Sequence, residues 1–111
     1  MRRQKKFYAW GYADEDLSPE EIKPWEAELA ARYGVSSFDV TAPPKPEEFT
    51  LRKPRVDVPS ALQAMVRTDQ LTRLEHSYGK AGFDAIRMLQ RSVPNPPDAV
   101  AFPENERDVE I

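Results

Sequence analysis

The sequence predicts a small, mostly α-helical chain crossed by an extended proline-rich arm. Three observations carry this expectation. Proline makes up 11 of 111 residues, about twice its usual share, and the prolines at 43, 44, 46, 54 and 59 crowd one stretch. Helix-start signals recur on either side of it, at Ser18-Pro19-Glu20-Glu21, Thr68-Asp69 and Asn105. Apolar residues outside the arm recur at helical spacing, as in Trp25, Leu29 and Tyr33. Four segments follow: 1–41, an aromatic start and a helix; 42–59, the arm; 60–93, a helical segment; and 94–111, which opens a strand and then a helix.

At 111 residues with 40% apolar content, the chain has room for one modest core. Net charge is −3, but Arg2, Arg3, Lys5 and Lys6 put +4 in the first six residues and leave −7 for the rest. That distribution argues against a nucleic-acid surface. Without cysteine there is neither a disulfide frame nor a thiolate metal site. Apolar runs are too short to span a membrane, and the basic start is followed by Asp14, Glu15 and Asp16 instead of an apolar segment, which fits neither a secretory signal nor a transit peptide. A cytoplasmic location is the expectation.

Phe7 to Tyr12, FYAWGY, places four aromatics in six residues beside the basic start. Such a cluster is expected to dock on a surface, since stacking on single-stranded RNA sits badly with the acidic residues that follow. Ser18 to Glu21 is a capping box, but Pro24 limits that first turn, so the helix is placed from Pro24 to Tyr33 with Gly34 as its left-handed cap. The face made by Trp25, Leu29 and Tyr33 reads as packing surface.

The arm, Pro43 to Pro59, is expected to be irregular and extended, with Phe49, Leu51 and Val56 spaced to touch a neighbouring surface. Beyond it, Ser60 to Arg67 reads as a short helix. Gln70 to Ser77 is a second, broken at Gly79, and Gly82 to Arg91 a third, with Phe83, Ile86, Met88 and Leu89 mostly on one side. Ala99 to Phe102 is a strand wherever a partner strand exists, and Asn105 caps a helix one turn before Ile111.

No complete active site can be read from these residues. His76 is the single histidine, with Glu75 and Asp84 as neighbours that could hold it, and a structural role is the stronger reading. Gly79 and Gly82 lack the spacing of a phosphate loop or dinucleotide fingerprint. The acid pairs Asp14, Asp16 and Glu20, Glu21 sit where helix-dipole and solvation roles suffice. Catalytic, cofactor-binding and metal residues are therefore assigned to none.

Trp10-Gly11-Tyr12, Gly34-Val35, Pro43 to Pro59, Arg73-x-x-His76-x-x-Gly79 and Pro97-Asp98-x-Val100-x-x-Pro103 come in the order seen in one enzyme family. With them, the chain resembles the N-terminal part of FAD-linked oxidases of the vanillyl-alcohol-oxidase fold, whose flavin domain is of the FAD-binding PCMH type. The likeness is greatest to the alkyldihydroxyacetonephosphate synthase-like branch of bacterial FAD-binding oxidoreductases, and its last forty or so residues, Arg73 to Ile111, are the specific ones.

The resemblance implies that 94–111 is the start of an α+β FAD-binding domain, its first strand and helix onset only. The glycine-rich loop that holds FAD would lie beyond Ile111. A parent flavoenzyme would then supply the remainder of the FAD domain and a substrate-cap domain as partners, and allows a homodimer, while the 111-residue chain alone is expected to be inactive and to bind no FAD. The alternative is a stand-alone helical adaptor that binds a protein partner through FYAWGY and the arm.

Overall fold

The computed structural model describes residues 2–111, which divide into two units. One comprises the residues up to Lys6 together with Trp10–Ala42; the other comprises Phe7–Ala9 together with Pro43–Ile111.

In the first unit, Lys5 and Tyr12 form an antiparallel bridge, closed by Lys6 N–H donating to Gly11 O at 3.0 Å and Ala13 N–H to Gln4 O at 2.9 Å. Gly11 turns the chain there at φ 87°, which a side chain would strain. Helix α1 then runs from Pro19 to Tyr33. Its capping box is complete: Ser18 Oγ accepts from Glu21 N–H at 3.2 Å and Glu21 Oε2 accepts from Ser18 N–H at 2.7 Å. Gly34, at φ 66°, closes it by donating to Ala30 O.

The helix thus starts at Pro19, not at Pro24 as expected. Pro24 lies inside it because losing one N–H costs a single intrahelical bond, and the freed carbonyl of exposed Glu20 can turn to water. No α1 residue is buried.

The second unit holds the core: Phe7, Phe49, Leu74, Met88 and Val93, with Tyr8, Leu51, Leu71 and Tyr78 packed against it. The arm is extended apart from one 3-10 turn at Pro46–Glu48. Ser60–Leu62 is a 3-10 turn, and Val66–Arg67 is strand β1, so the helix expected over Ser60 to Arg67 does not form. The competing interaction is sheet pairing. β1 pairs antiparallel with β2, Val100–Ala101, in the register Val66 to Ala101 and Arg67 to Val100, extended by Phe102 N–H donating to Met65 O at 2.9 Å.

Helix α2, Gln70–Glu75, is capped by Asp69 accepting from Thr72 N–H at 2.9 Å. Helix α3, Gly82–Leu89, begins where Asp84 accepts from Ala81 N–H at 3.0 Å. It stops before Arg91, which adopts φ 55°. Met88 is its buried residue, whereas Phe83 and Ile86, expected on the same inner side, are exposed. Helix α4, Glu106–Glu110, follows β2 and is capped by Asn105.

Two further expectations change. Phe7, read as part of a docking cluster, is only 7% exposed and lies edge-on to Phe49 with ring centroids 5.7 Å apart. Trp10 from the same cluster is 64% exposed. In the arm, Phe49 is buried and Leu51 packs on the core, but Val56 is exposed.

Candidate functional site

The densest set of long-range polar contacts in the second unit joins α2, the arm and the segment before β2. Asp69 starts α2 so that Gln70, Arg73 and Leu74 share its inner face, three and four residues apart. Leu74 enters the core, and Arg73 is buried beside it at 4% exposure. Its guanidinium donates through Nε to Pro97 O at 2.8 Å and through Nη2 to Arg52 O at 2.7 Å. Gln70 Nε2 donates to Pro46 O at 2.6 Å and Phe49 O at 2.8 Å. These bonds satisfy the carbonyls of a strandless arm, which is what lets it lie on the core.

The arm returns contacts of its own. Arg52 Nη2 donates to Pro96 O at 3.0 Å and lies 3.7 Å from Asp98, while its buried Nε has no partner among the described residues. Arg55 meets Asp98 with its backbone N–H at 3.1 Å, Nε at 3.3 Å and Nη2 at 3.0 Å. These bonds, led by that from the Arg55 side chain, hold the Asp98 carboxyl below its usual range, and Asp98 in turn raises Arg55. At the arm's other end Glu48 accepts from Arg91 at 3.1 Å; the Lys45 N–H is the main cause of its lowered pKa.

His76 lies at the C-terminal end of α2. Its Nδ1 is 2.8 Å from Thr72 O; a carbonyl only accepts, so Nδ1 carries the proton. Its ring stands edge-on to Phe102, 5.7 Å between centroids. The partner is thus Thr72 and not Asp84, which is engaged by Ala81 and Arg87. Ser77 Oγ donates to Arg73 O at 2.6 Å and Tyr78 OH to Ser92 O at 2.9 Å. All of these hydroxyl and imidazole groups bond to backbone carbonyls, an arrangement that positions chain and activates no nucleophile.

An open groove of about 640 Å³ beside β1 and α4 is lined by Ala64, Met65, Arg67, Phe102, Asp108 and Ile111, among others. Asp108 is already occupied, accepting from Glu104 N–H at 2.9 Å and Asn105 Nδ2 at 3.1 Å. Neither groove nor glycines form a diphosphate cradle. A Cβ on Gly79 would meet Asp84 at 3.9 Å, ordinary contact, and one on Gly82 would meet nothing within 4 Å. Among the described residues, Gly79 and Gly82 therefore do not make the close backbone approach that an FAD diphosphate needs. Among the described residues no cluster of His, Cys, Asp or Glu has the makings of a metal site, and no helix is long and apolar enough to cross a membrane.

The sequence groups Arg73, His76 and Gly79 in one motif without revealing the role of Arg73. The clamp of Arg52 and Arg55 on Asp98 escapes sequence reasoning altogether. The nearest signal is two arginines three residues apart in a proline arm and an aspartate after Pro96-Pro97, and nothing local pairs them.

No family model and no solved structure matches the chain. It is similar to the alkyldihydroxyacetonephosphate synthase of Dictyostelium discoideum, 29% identical over 94 residues. Those residues are 85% of this chain and 15% of the synthase, so the relationship is a distant one over a small part of the relative's length.

Proposed function

We propose that the chain is the N-terminal segment of an FAD-dependent oxidoreductase, or of an alkylglycerone-phosphate synthase-like enzyme, and that it packs against and leads into the flavin domain. The observation that carries this reading is the alignment with the synthase, which takes in 85% of the chain. In such a parent enzyme FAD would supply the electron-accepting chemistry, held by residues outside this chain. The chain's own part is positional. Arg73, Arg52 and Arg55 fasten the arm to Pro96, Pro97 and Asp98, directly before β2 and α4. That fastening fixes where the strand-to-helix start leaves the segment.

The adaptor reading gains nothing from the structure. Pro44 and Phe49 of the arm and Phe7 of the aromatic start are buried within the second unit, which leaves Trp10 and Val56 as the exposed apolar residues of those two stretches.

The test is the coding frame downstream of the Ile111 codon. A continuing frame with a glycine-rich, GGGTS-like stretch is expected. A stop codon directly after Ile111 would overturn the proposal.

A further inference from the structure

Helix α1 has fifteen residues and buries none of them. Yet Ile22, Trp25, Leu29 and Tyr33 fall on one stripe, all four within about 80° of one another at 100° per residue. Trp25 is 62% exposed and Tyr33 69%. A lone helix of this length is marginal in water, and Pro24 removes one of its bonds. A contiguous apolar stripe of this kind marks a docking face.

Charge narrows the occupant. The helix carries Glu20, Glu21, Glu26 and Glu28 against Lys23 and Arg32, and Arg32 is already bound to Glu28 at 3.1 Å. An anionic membrane surface is therefore repelled. Antiparallel pairing with a second copy about Trp25 and Leu29 brings Glu26 of both copies together beside the axis, and parallel pairing sets each charge against itself. The surface that complements this face is apolar with basic margins. The relative's matched stretch is 15% of its length, so most of a parent enzyme of that kind lies outside these residues.

We infer that the stripe of Ile22, Trp25, Leu29 and Tyr33 docks on an apolar, basic-rimmed surface in the remainder of the same polypeptide, C-terminal to Ile111. The inference rests on the parent-enzyme proposal. As part of one chain, the partner surface faces α1 at high effective concentration, which offsets the modest area that a single helix face buries.

Hydrogen exchange tests it, on the product of the complete reading frame beside the 111-residue chain. Amides of 22–33 are expected to exchange at least about tenfold slower in the complete product. Leu29→Glu removes that protection, and Lys23→Gln, on another face, keeps it. A flavin-containing complete product whose α1 amides exchange within about twofold of the short chain overturns the inference and leaves the parent reading standing. Protection that appears in the short chain with rising concentration and a dimer mass overturns it in favour of a second copy. A complete product without flavin overturns both.

Discussion

Arg73 of α2 donates to the backbone carbonyl of Arg52 at 2.7 Å while its Nε donates to Pro97 at 2.8 Å, so one buried side chain ties the arm to the segment before β2. Both acceptors are backbone oxygens. The contact therefore depends on the fork of the guanidinium and not on a partner's charge.

Arg73→Met is expected to leave both carbonyls unpaired and to destabilise the second unit by about 3 kcal/mol or more. Arg73→Lys keeps the charge but has no planar fork to reach both oxygens, and is expected to recover less than half of that loss. Urea denaturation followed by the near-ultraviolet signal measures both.

Phe7 supplies a second test, of core membership. It contacts Phe49 and Tyr8 edge-on, at 5.7 and 5.4 Å between centroids, inside a core of five buried apolar residues. Phe7→Ala is expected to cost about 3–5 kcal/mol, a large share of what a small domain has. Trp10→Ala, at a neighbouring exposed ring, is expected to change stability by no more than about 0.5 kcal/mol. Equal effects of the two in thermal melts would contradict this core.

The contrast between Phe7 and Trp10 shows what is legible in sequence. The aromatic cluster can be read there, but which ring turns inward depends on Phe49, forty-two positions away. Capping residues at Ser18, Asp69 and Asn105 are legible because a cap is a contact over three residues. Ser60 to Arg67 misleads because β1 is stabilised by pairing with Val100 and Ala101, and local pattern carries no trace of that. Met88 rather than Phe83 or Ile86 faces the core for the same reason: the packing partner chooses the face. The arginine clamp on Asp98 is invisible, since its two sides are forty-three residues apart.

Asp98 gives a pH dependence. Its carboxyl, held below the ordinary value of 3.8 chiefly by Arg55, contributes stability that is fully present above that value. The contribution is lost as pH falls through the lowered value in the folded state. Asp69, lowered chiefly by the Thr72 N–H, acts in the same direction and window. Asp98→Asn is expected to lower the urea midpoint at neutral pH and to flatten its decline below about pH 4. An unchanged acid limb in the variant would show that the clamp contributes nothing.

Gly34 closes α1 at φ 66°, and a Cβ placed there would meet nothing within 4 Å, so backbone conformation alone decides a substitution. Gly34→Ala is expected to cost α1 about 1–2 kcal/mol. The readout is loss of helical circular dichroism and faster exchange at Ala30 to Val35.

Flavin content of the product of the complete reading frame bears most directly on the parent-enzyme proposal, and is measured by releasing the cofactor from the desalted protein and identifying it chromatographically. About one FAD per chain is the outcome the proposal predicts, because the flavin domain it invokes would hold one cofactor through its own backbone amides. A folded complete product that releases no flavin would contradict the proposal.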